Sequence, residues 1–105
     1  MAIDRVEALK AMLAQDPTNS FVRYGLAQAY SGSGRLEEAV TAYRELLQAD
    51  PMYVAGYFHG GQALEKLGRV EEARDIYLQG LEACTRKGDL HTRGEIQGAL
   101  DMLPI

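Results

Sequence analysis

The sequence predicts an all-α protein built from helix–turn–helix units that stack on one another. The first observation is an internal repeat: Gly34–Ala39 (Gly-Arg-Leu-Glu-Glu-Ala) returns 34 residues later as Gly68–Ala73 (Gly-Arg-Val-Glu-Glu-Ala). At the same shift Asp16-Pro17 matches Asp50-Pro51. A fixed period of this length is typical of stacked-repeat proteins. The second observation is that apolar residues follow helical spacing along the chain, and no segment shows the alternation of a strand.

Composition favours one soluble domain without nucleic acid or membrane as a partner. Hydrophobic residues make up 47% and charged residues 25% of the 105 residues, as in an ordinary globular protein. The formal net charge is −4, and 11 basic residues are scattered among 15 acidic ones, which argues against binding to polyphosphate. No apolar run approaches the roughly 18 residues of a membrane helix.

Two further features favour the cytoplasm. Asp4 and Arg5 place charges where a signal peptide needs its apolar core. Cys84 is the one cysteine of the sequence, so the fold has to stand without an intramolecular disulfide, which fits a reducing compartment.

Proline and glycine mark the helix ends. Asp16-Pro17 and Asp50-Pro51 each end a helix, because the residue before proline is pushed out of the α region. Asn19 or Ser20 can cap the second helix, and Asp89 can cap the last one. We expect helices at residues 3–15, about 20–31, 36–49, 54–66, 70–87 and about 90–103.

These intervals resemble the tetratricopeptide repeat family, whose 34-residue pattern reads W-x2-L-G-x2-Y, then A-x3-F, then P. In the first repeat the pattern falls on Arg23 (in place of tryptophan), Leu26, Ala27, Tyr30, Ala39, Tyr43 and Pro51. In the second it falls on Tyr57, Gly60, Gly61, Leu64, Ala73 and Tyr77, with Thr85 in place of proline. The resemblance implies antiparallel helix pairs wound into a right-handed solenoid of about six helices. It implies one domain over residues 1–105, with an N-terminal helix (3–15), two repeats (20–51 and 54–87) and a capping helix (89–103).

Several positions depart from the family pattern or from helix preference. Gly60 takes the place of a large apolar residue, so we expect thin packing there, with Tyr57 filling part of the gap. Thr85 in place of proline predicts that its helix runs on without the usual turn. Gly94 and Gly98 each cost roughly 1 kcal/mol relative to alanine in a helix interior, so we expect close packing at these two glycines.

The sequence predicts no enzyme, no metal site and no cofactor. His59, His91 and Cys84 lack the spacing of metal ligands or of a nucleophile and base. Glu37-Glu38 and Glu71-Glu72 are adjacent on helices, where neighbouring residues do not face one another, so they cannot act as an acid–base pair.

The resemblance implies a concave groove lined by the first helix of each repeat. The groove-facing positions fall on Phe21, Tyr24, Gln28, Ser31, Ala55, Phe58, His59, Gln62 and Glu65. Tyr24 and Phe58 would give an apolar, neutral groove, and Gln28 and Gln62 would add amide hydrogen bonds. Family members that hold a C-terminal carboxylate use lysines and asparagines where this chain has Tyr24, Gln28 and Phe58, so we expect no preference for acidic C-termini.

The interpretation is a protein–protein interaction module that binds a peptide or helix of a partner on its concave face. The alternative is a structural oligomerisation domain, a homodimer that associates through the same face. At this point it is open whether Phe21, Tyr24 and Phe58 are exposed or are covered by neighbouring helices.

Overall fold

A computed structural model describes residues 4–104, which form six α-helices and no strand. The all-α fold class is confirmed, as is the number of helices within this part of the chain. Ile3, at which the first helix was expected to start, lies outside the described residues. The helices are α1 (Arg5–Gln15), α2 (Ser20–Gly32), α3 (Leu36–Ala49), α4 (Ala55–Lys66), α5 (Val70–Lys87) and α6 (Leu90–Asp101).

Side-chain caps begin α1, α2 and α6. The Asp4 carboxylate accepts the Val6 N–H at 2.9 Å, and the Asn19 amide oxygen accepts the Val22 N–H at 3.1 Å. The Asp89 carboxylate likewise accepts the N–H of Thr92 at 2.9 Å. These bonds satisfy N–H groups that have no partner inside the helix. The predicted caps Asn19 and Asp89 are therefore confirmed.

Three glycines with positive φ end α2, α4 and α5. Gly34, Gly68 and Gly88 have φ angles of 78°, 74° and 77°, in the left-handed region that glycine enters without steric cost. After Gly34, the N–H of Arg35 donates to the carbonyl of Tyr30 at 2.9 Å, which closes the helix end in a Schellman arrangement. The repeated glycine therefore fixes the turn between the two helices of each pair.

Consecutive helices pack side by side, and the even-numbered helices also approach one another. The backbone of α4 lies within contact distance of both α2 and α6, whereas no such approach joins α1, α3 and α5 among residues 4–104. The stack therefore curves toward the side of α2, α4 and α6, which we call the inner side. Its overall dimensions are 44 × 28 × 19 Å.

One continuous core runs from Val6 in α1 to Leu103 after α6. Its largest fully buried side chains include Tyr43 and Tyr77, which lie 34 residues apart. No helix in residues 4–104 is both long and apolar enough to cross a bilayer.

The expected thin packing around Gly60 is wrong. A Cβ atom placed on Gly60 would lie 3.1 Å from Cδ1 of Ile76 and 3.3 Å from Cβ of Tyr43. Ile76 reaches across from α5 and fills the space. Tyr57, the expected filler, packs over Gly80 instead, where a Cβ atom would lie 2.6 Å from Cβ of Tyr57.

The end of the chain gives one confirmation and two corrections. Helix α5 continues past Thr85 to Lys87, as the missing proline predicts. Helix α6 ends at Asp101 rather than at residue 103, although Leu103 is still buried. The expected close packing at Gly94 and Gly98 is wrong, because a Cβ atom on either would have no other atom within 4 Å.

Candidate binding face

All nine predicted groove residues lie on the two inner helices α2 and α4. Phe21 is 74% exposed, and the other eight are half-buried. We call the exposed surface of these side chains the inner face.

Four rings form a continuous line on the inner face, which we call the aromatic row: Tyr53, Tyr24, His59 and Phe58. Ring centroids are 5.2 Å apart from Tyr53 to Tyr24, 5.7 Å from Tyr24 to His59, and 5.2 Å from His59 to Phe58. The imidazole of His59 therefore separates Tyr24 from Phe58. Both of these rings also pack against the core, so they are neither fully exposed nor fully covered.

The two glutamines sit beside this row, and each makes one local hydrogen bond. The Gln28 amide nitrogen donates to the Tyr24 hydroxyl at 3.0 Å. The Gln62 amide oxygen lies 3.2 Å from Nδ1 of His59. Each amide keeps one polar atom without a hydrogen-bond partner among residues 4–104: an acceptor on Gln28 and a donor on Gln62. A small cleft of about 110 Å³ lies here, lined by Gln28, Ser31, Tyr43, His59, Gln62, Ala63 and Lys66.

Glu65 also holds a tyrosine of an outer helix in place. The Tyr77 hydroxyl donates to the Glu65 carboxylate, whereas Ser31 lines the cleft together with Tyr43. Among the described residues Phe21 forms no ring pair with the aromatic row, and Ala55 carries no ring. The structure thus gathers Tyr24, Phe58 and His59 into the row, with Gln28, Gln62 and Ser31 at the cleft.

Sequence reasoning missed Tyr53, Tyr43 and Lys66 on this face. Tyr53 lies in the loop after Asp50-Pro51, where helical spacing gives no prediction of direction. Tyr43 was assigned to helix packing, which is its main role, since it is 2% exposed. Lys66 is in the last turn of α4 and brings a positive charge to the edge of an otherwise neutral cleft.

The tyrosines of this region are protonated at neutral pH, so each hydroxyl keeps a proton that it can donate. Burial raises the pKa of Tyr24, and neighbouring Tyr53 raises it further. Burial, together with Tyr24, raises the pKa of Tyr43 to about 12. Burial and the bonded Glu65 carboxylate raise the pKa of Tyr77.

Elsewhere in the fold, the residues that could act as a nucleophile, an acid or a base are either buried or paired with a neighbouring charged side chain. Cys84 is fully buried, and burial raises the pKa of its thiol, so the thiolate that a nucleophile requires is disfavoured. Glu38 is paired with Arg35 at 2.6 Å, and Glu37 with Arg69 at 2.9 Å. Among residues 4–104 no cluster of three side chains could hold a metal ion.

A helical solenoid with a half-buried aromatic and amide surface defines a class of protein that works through binding surfaces. The sequence pattern of the tetratricopeptide repeat family matches residues 24–88 of this chain. The chain belongs to this family. The family and its fold are generally non-catalytic, and its domains act as protein–protein interaction modules.

Three known proteins illustrate the similarity. The TPR repeat-containing protein PA0015 of Pseudomonas aeruginosa is 32% identical over 91 residues, which cover 87% of each chain. The solution structure of BPP2914 from Bordetella parapertussis is 32% identical, with a TM-score of 0.79, and the match covers 96% of this chain and 86% of that one. The TPR2B domain of yeast Sti1, solved in complex with pHsp70, shares the fold with a TM-score of 0.85 at 17% identity, over 90% of this chain and 76% of that one.

Proposed function

We propose that this protein is a non-enzymatic cytoplasmic adaptor, one domain over residues 1–105, that binds a segment of a partner protein on the inner face. The observation that carries the proposal is the aromatic row flanked by two glutamines, each with an amide atom left for an outside partner. Rings offer flat apolar contact, and an amide donor and acceptor add direction.

The amide pair favours an extended segment over a helix. A bound helix uses its own backbone groups internally, whereas an extended backbone presents free N–H and C=O groups. The acceptor on Gln28 suits a backbone N–H, and the donor on Gln62 suits a backbone C=O. Phe21, 74% exposed on the first turn of α2, would extend the apolar surface along the segment.

The similar fold of the Sti1 domain supports this use of the fold, since that domain was solved with pHsp70 bound. The contacts here would differ from a carboxylate clamp, because Tyr24, Gln28 and Phe58 stand at the clamp positions. We therefore propose a neutral internal segment rather than an acidic C-terminus.

The test compares proteins that co-purify with the native chain and with two variants from a lysate of the source organism, quantified by mass spectrometry. The inner-face variant is Phe21→Glu/Gln62→Glu, which places charge on partly or largely exposed positions and so leaves the fold intact. The matched control is Leu78→Glu, on the outer helix α5, where the native leucine is 41% exposed. Circular dichroism checks that all three are helical.

We expect a partner that is retained by the native chain and by the control but lost from the inner-face variant. A synthetic peptide of that partner should then shift NMR signals of Tyr24, His59 and Gln62. A partner lost equally from the control would contradict the proposal. Loss of only a second copy of this chain would support the alternative, self-association through the same face.

A further inference from the structure

The hydrogen-bonding role of His59 on the inner face depends on whether its imidazole carries one proton or two. Nδ1 of the ring lies 3.2 Å from the amide oxygen of Gln62. An amide oxygen accepts hydrogen bonds and cannot donate them, so Nδ1 carries a proton, and the neutral ring has its lone pair at Nε2. Neutral His59 therefore adds an acceptor to the inner face, in addition to the acceptor on Gln28.

The Nε2 atom of His59 is open to solvent. In the part of the chain that the structure describes, no side-chain nitrogen or oxygen is both buried and without a hydrogen-bond partner. Nε2 has no partner within residues 4–104, because the hydrogen bond of this ring is made by Nδ1, so Nε2 is exposed. The ring lies between Tyr24 and Phe58, with centroids 5.7 and 5.2 Å away. A segment that covers the aromatic row therefore also covers Nε2.

Among residues 4–104, no carboxylate lines the cleft beside His59 to balance a charge on the ring. The lining side chains come from α2 (Gln28, Ser31), α3 (Tyr43) and α4 (Gln62, Ala63, Lys66), and of these Lys66 is the charged one, with a positive charge. Helices α5 and α6 also pack against α4, but none of their residues lines the cleft. The Glu65 carboxylate of α4 is bonded to the Tyr77 hydroxyl. A proton on Nε2 therefore adds a second positive charge to the cleft.

We propose that His59 makes binding at the inner face depend on pH. This inference rests on the proposed function and concerns its regulation. While the ring is neutral, Nε2 accepts a backbone N–H of the bound segment. Imidazole is the side chain that changes charge between about pH 5 and pH 8, and protonation turns Nε2 into a donor. A neutral segment then loses one hydrogen bond and covers an unpaired charge, both of which weaken its binding.

The fold itself does not depend on this proton. Nδ1–H donates to Gln62 in both forms of the ring, and the added proton goes to the exposed Nε2. Tyr24 and Tyr43 stay protonated, because burial raises the pKa of both hydroxyls. A fall from about pH 7.5 to about pH 5.5 therefore changes the chemistry of the inner face while the helices that present it stay folded.

His91 provides the matched control. His59 and His91 are the two histidines of the sequence, so imidazole NMR signals report two titrations. The His91 side chain is 88% exposed on α6 and lies 3.7 Å from Glu95. It lies away from the inner face, so His91→Gln removes one titration without touching the proposed site.

Isothermal titration calorimetry with a neutral peptide tests the proposal. The probe is a peptide with blocked ends and no ionisable side chain, selected from a displayed library on the native chain at about pH 7.5 and required to be lost from Phe21→Glu/Gln62→Glu. We expect the native chain and His91→Gln to bind it about tenfold more weakly at about pH 5.5. The affinity should fall over the pH range in which the His59 signals titrate. His59→Gln should bind equally at the two pH values, since an amide does not titrate.

The outcomes separate this inference from the proposed function. If every library peptide is retained by Phe21→Glu/Gln62→Glu, the proposed function fails and the inference fails with it. Equal affinity of the native chain at both pH values would overturn the inference and leave the proposed function standing. A loss of affinity in acid that persists in His59→Gln, or that disappears in His91→Gln, would also overturn the inference, because the responsible proton would then lie elsewhere.

Discussion

The two repeats share a 34-residue frame but fill it in opposite ways. In the first, Leu26 of the inner helix and Ala42, a small residue of the outer helix, line the same cleft. In the second, the matching positions hold Gly60 and Ile76, so the large residue comes from the other helix. Ile76 lies 3.1 Å from where the Gly60 Cβ would be. The repeats therefore preserve the volume at this position rather than the residue type, in line with the tolerance of cores for volume-conserving exchange.

The first arrangement leaves more open space on the outer side of the stack. A cleft of about 450 Å³ lies over Leu26, Tyr30 and Ala42, whereas a cleft of about 290 Å³ lies beside Ile76, the residue that matches Ala42. The carboxylates around the larger cleft are paired within the chain, as with Glu45 and Arg23 at 3.8 Å. The larger cleft therefore offers no unpaired carboxylate to a ligand.

At a second pair of matched positions, Arg23 and Tyr57, two different side chains make the same kind of hydrogen bond. The Arg23 guanidinium donates to the Pro17 carbonyl at 3.1 and 3.2 Å. The matching residue, Tyr57, donates its hydroxyl to the Pro51 carbonyl at 2.8 Å. Each bond ties an inner helix to the proline turn before it. Arginine in place of the family's tryptophan thus keeps a structural role.

The largest effect is expected from the single changes that separate the arrangement of the second repeat from that of the first. Ile76→Ala removes the side chain that fills the space at Gly60 and should destabilise the fold by about 3 kcal/mol. Gly60→Leu should cost about 2 kcal/mol by overpacking against Ile76 and Tyr43. The double variant Gly60→Leu/Ile76→Ala should be more stable than the sum of the two losses by at least about 1 kcal/mol. Urea unfolding followed by circular dichroism measures all three.

The control for this cycle is Ala42→Ile in the first repeat, which adds bulk beside Leu26 without removing a partner and should destabilise by about 1–3 kcal/mol. If the stability losses of Gly60→Leu and Ile76→Ala were additive in the double variant, the two positions would not share one space. That result would contradict the volume-conserving exchange between the two repeats.

A medium effect is expected at the matched small residues Ala27 and Gly61. A Cβ atom on Gly61 would lie 2.1 Å from Cε1 of Tyr77, so Gly61→Ala has to displace a buried ring that is also bonded to Glu65. We expect a loss of about 2 kcal/mol. Ala27→Gly in the first repeat should lose only about 1 kcal/mol, through helix propensity. Thermal unfolding of both variants checks the order. If Gly61→Ala instead stabilised the protein, as alanine usually does in a helix, the ring contact would be refuted.

The helices were predictable because each depends on local signals. The caps Asn19 and Asp89, the proline turns and the repeated glycines act within a few residues of where they stand. The helix ends predicted from them differ from the structure by at most two residues, and most of them coincide with it. The contacts of Gly60, Gly94 and Gly98 were not predictable, because they depend on which helix lies opposite. At Gly60 that helix supplies Ile76, and at Gly94 and Gly98 none is present in residues 4–104.

The residues of the candidate site also divide into those that could be predicted from the sequence and those that could not. The resemblance to the family pattern placed Tyr24, Gln28, Phe58 and Gln62 together on the inner helices. It could not show that His59 stands between the two aromatic residues, since that depends on the stagger between α2 and α4. Tyr53 lies in a loop, where no periodicity applies. Whether these side chains bind a partner stays a prediction.

The smallest effect is expected at the helix caps. Helix α2 of the first repeat is capped by the neutral Asn19, whereas α6 is capped by the charged Asp89. Hydrogen bonds from the backbone and side chain of Thr92 lower the pKa of Asp89 below its usual value of 3.8. A lowered pKa in the folded state gives stability that is present above the unfolded pKa and is lost as the pH falls through the folded value. Asp89→Asn keeps a capping oxygen but removes the titration.

The stability of the native chain relative to Asp89→Asn should therefore be constant from neutral pH to about pH 5. Below about pH 4 the native chain should lose stability relative to the variant. Urea midpoints measured at several pH values give this difference, and Glu38 and Glu72, whose pKa values are also lowered, contribute equally to both proteins and cancel. The reverse exchange, Asn19→Asp, should introduce a loss of stability in the same acid range at the start of α2. A difference that stayed constant to pH 3 for both exchanges would mean that the charge at Asp89 adds nothing to the cap, and that the two helix starts are equivalent despite their different residues.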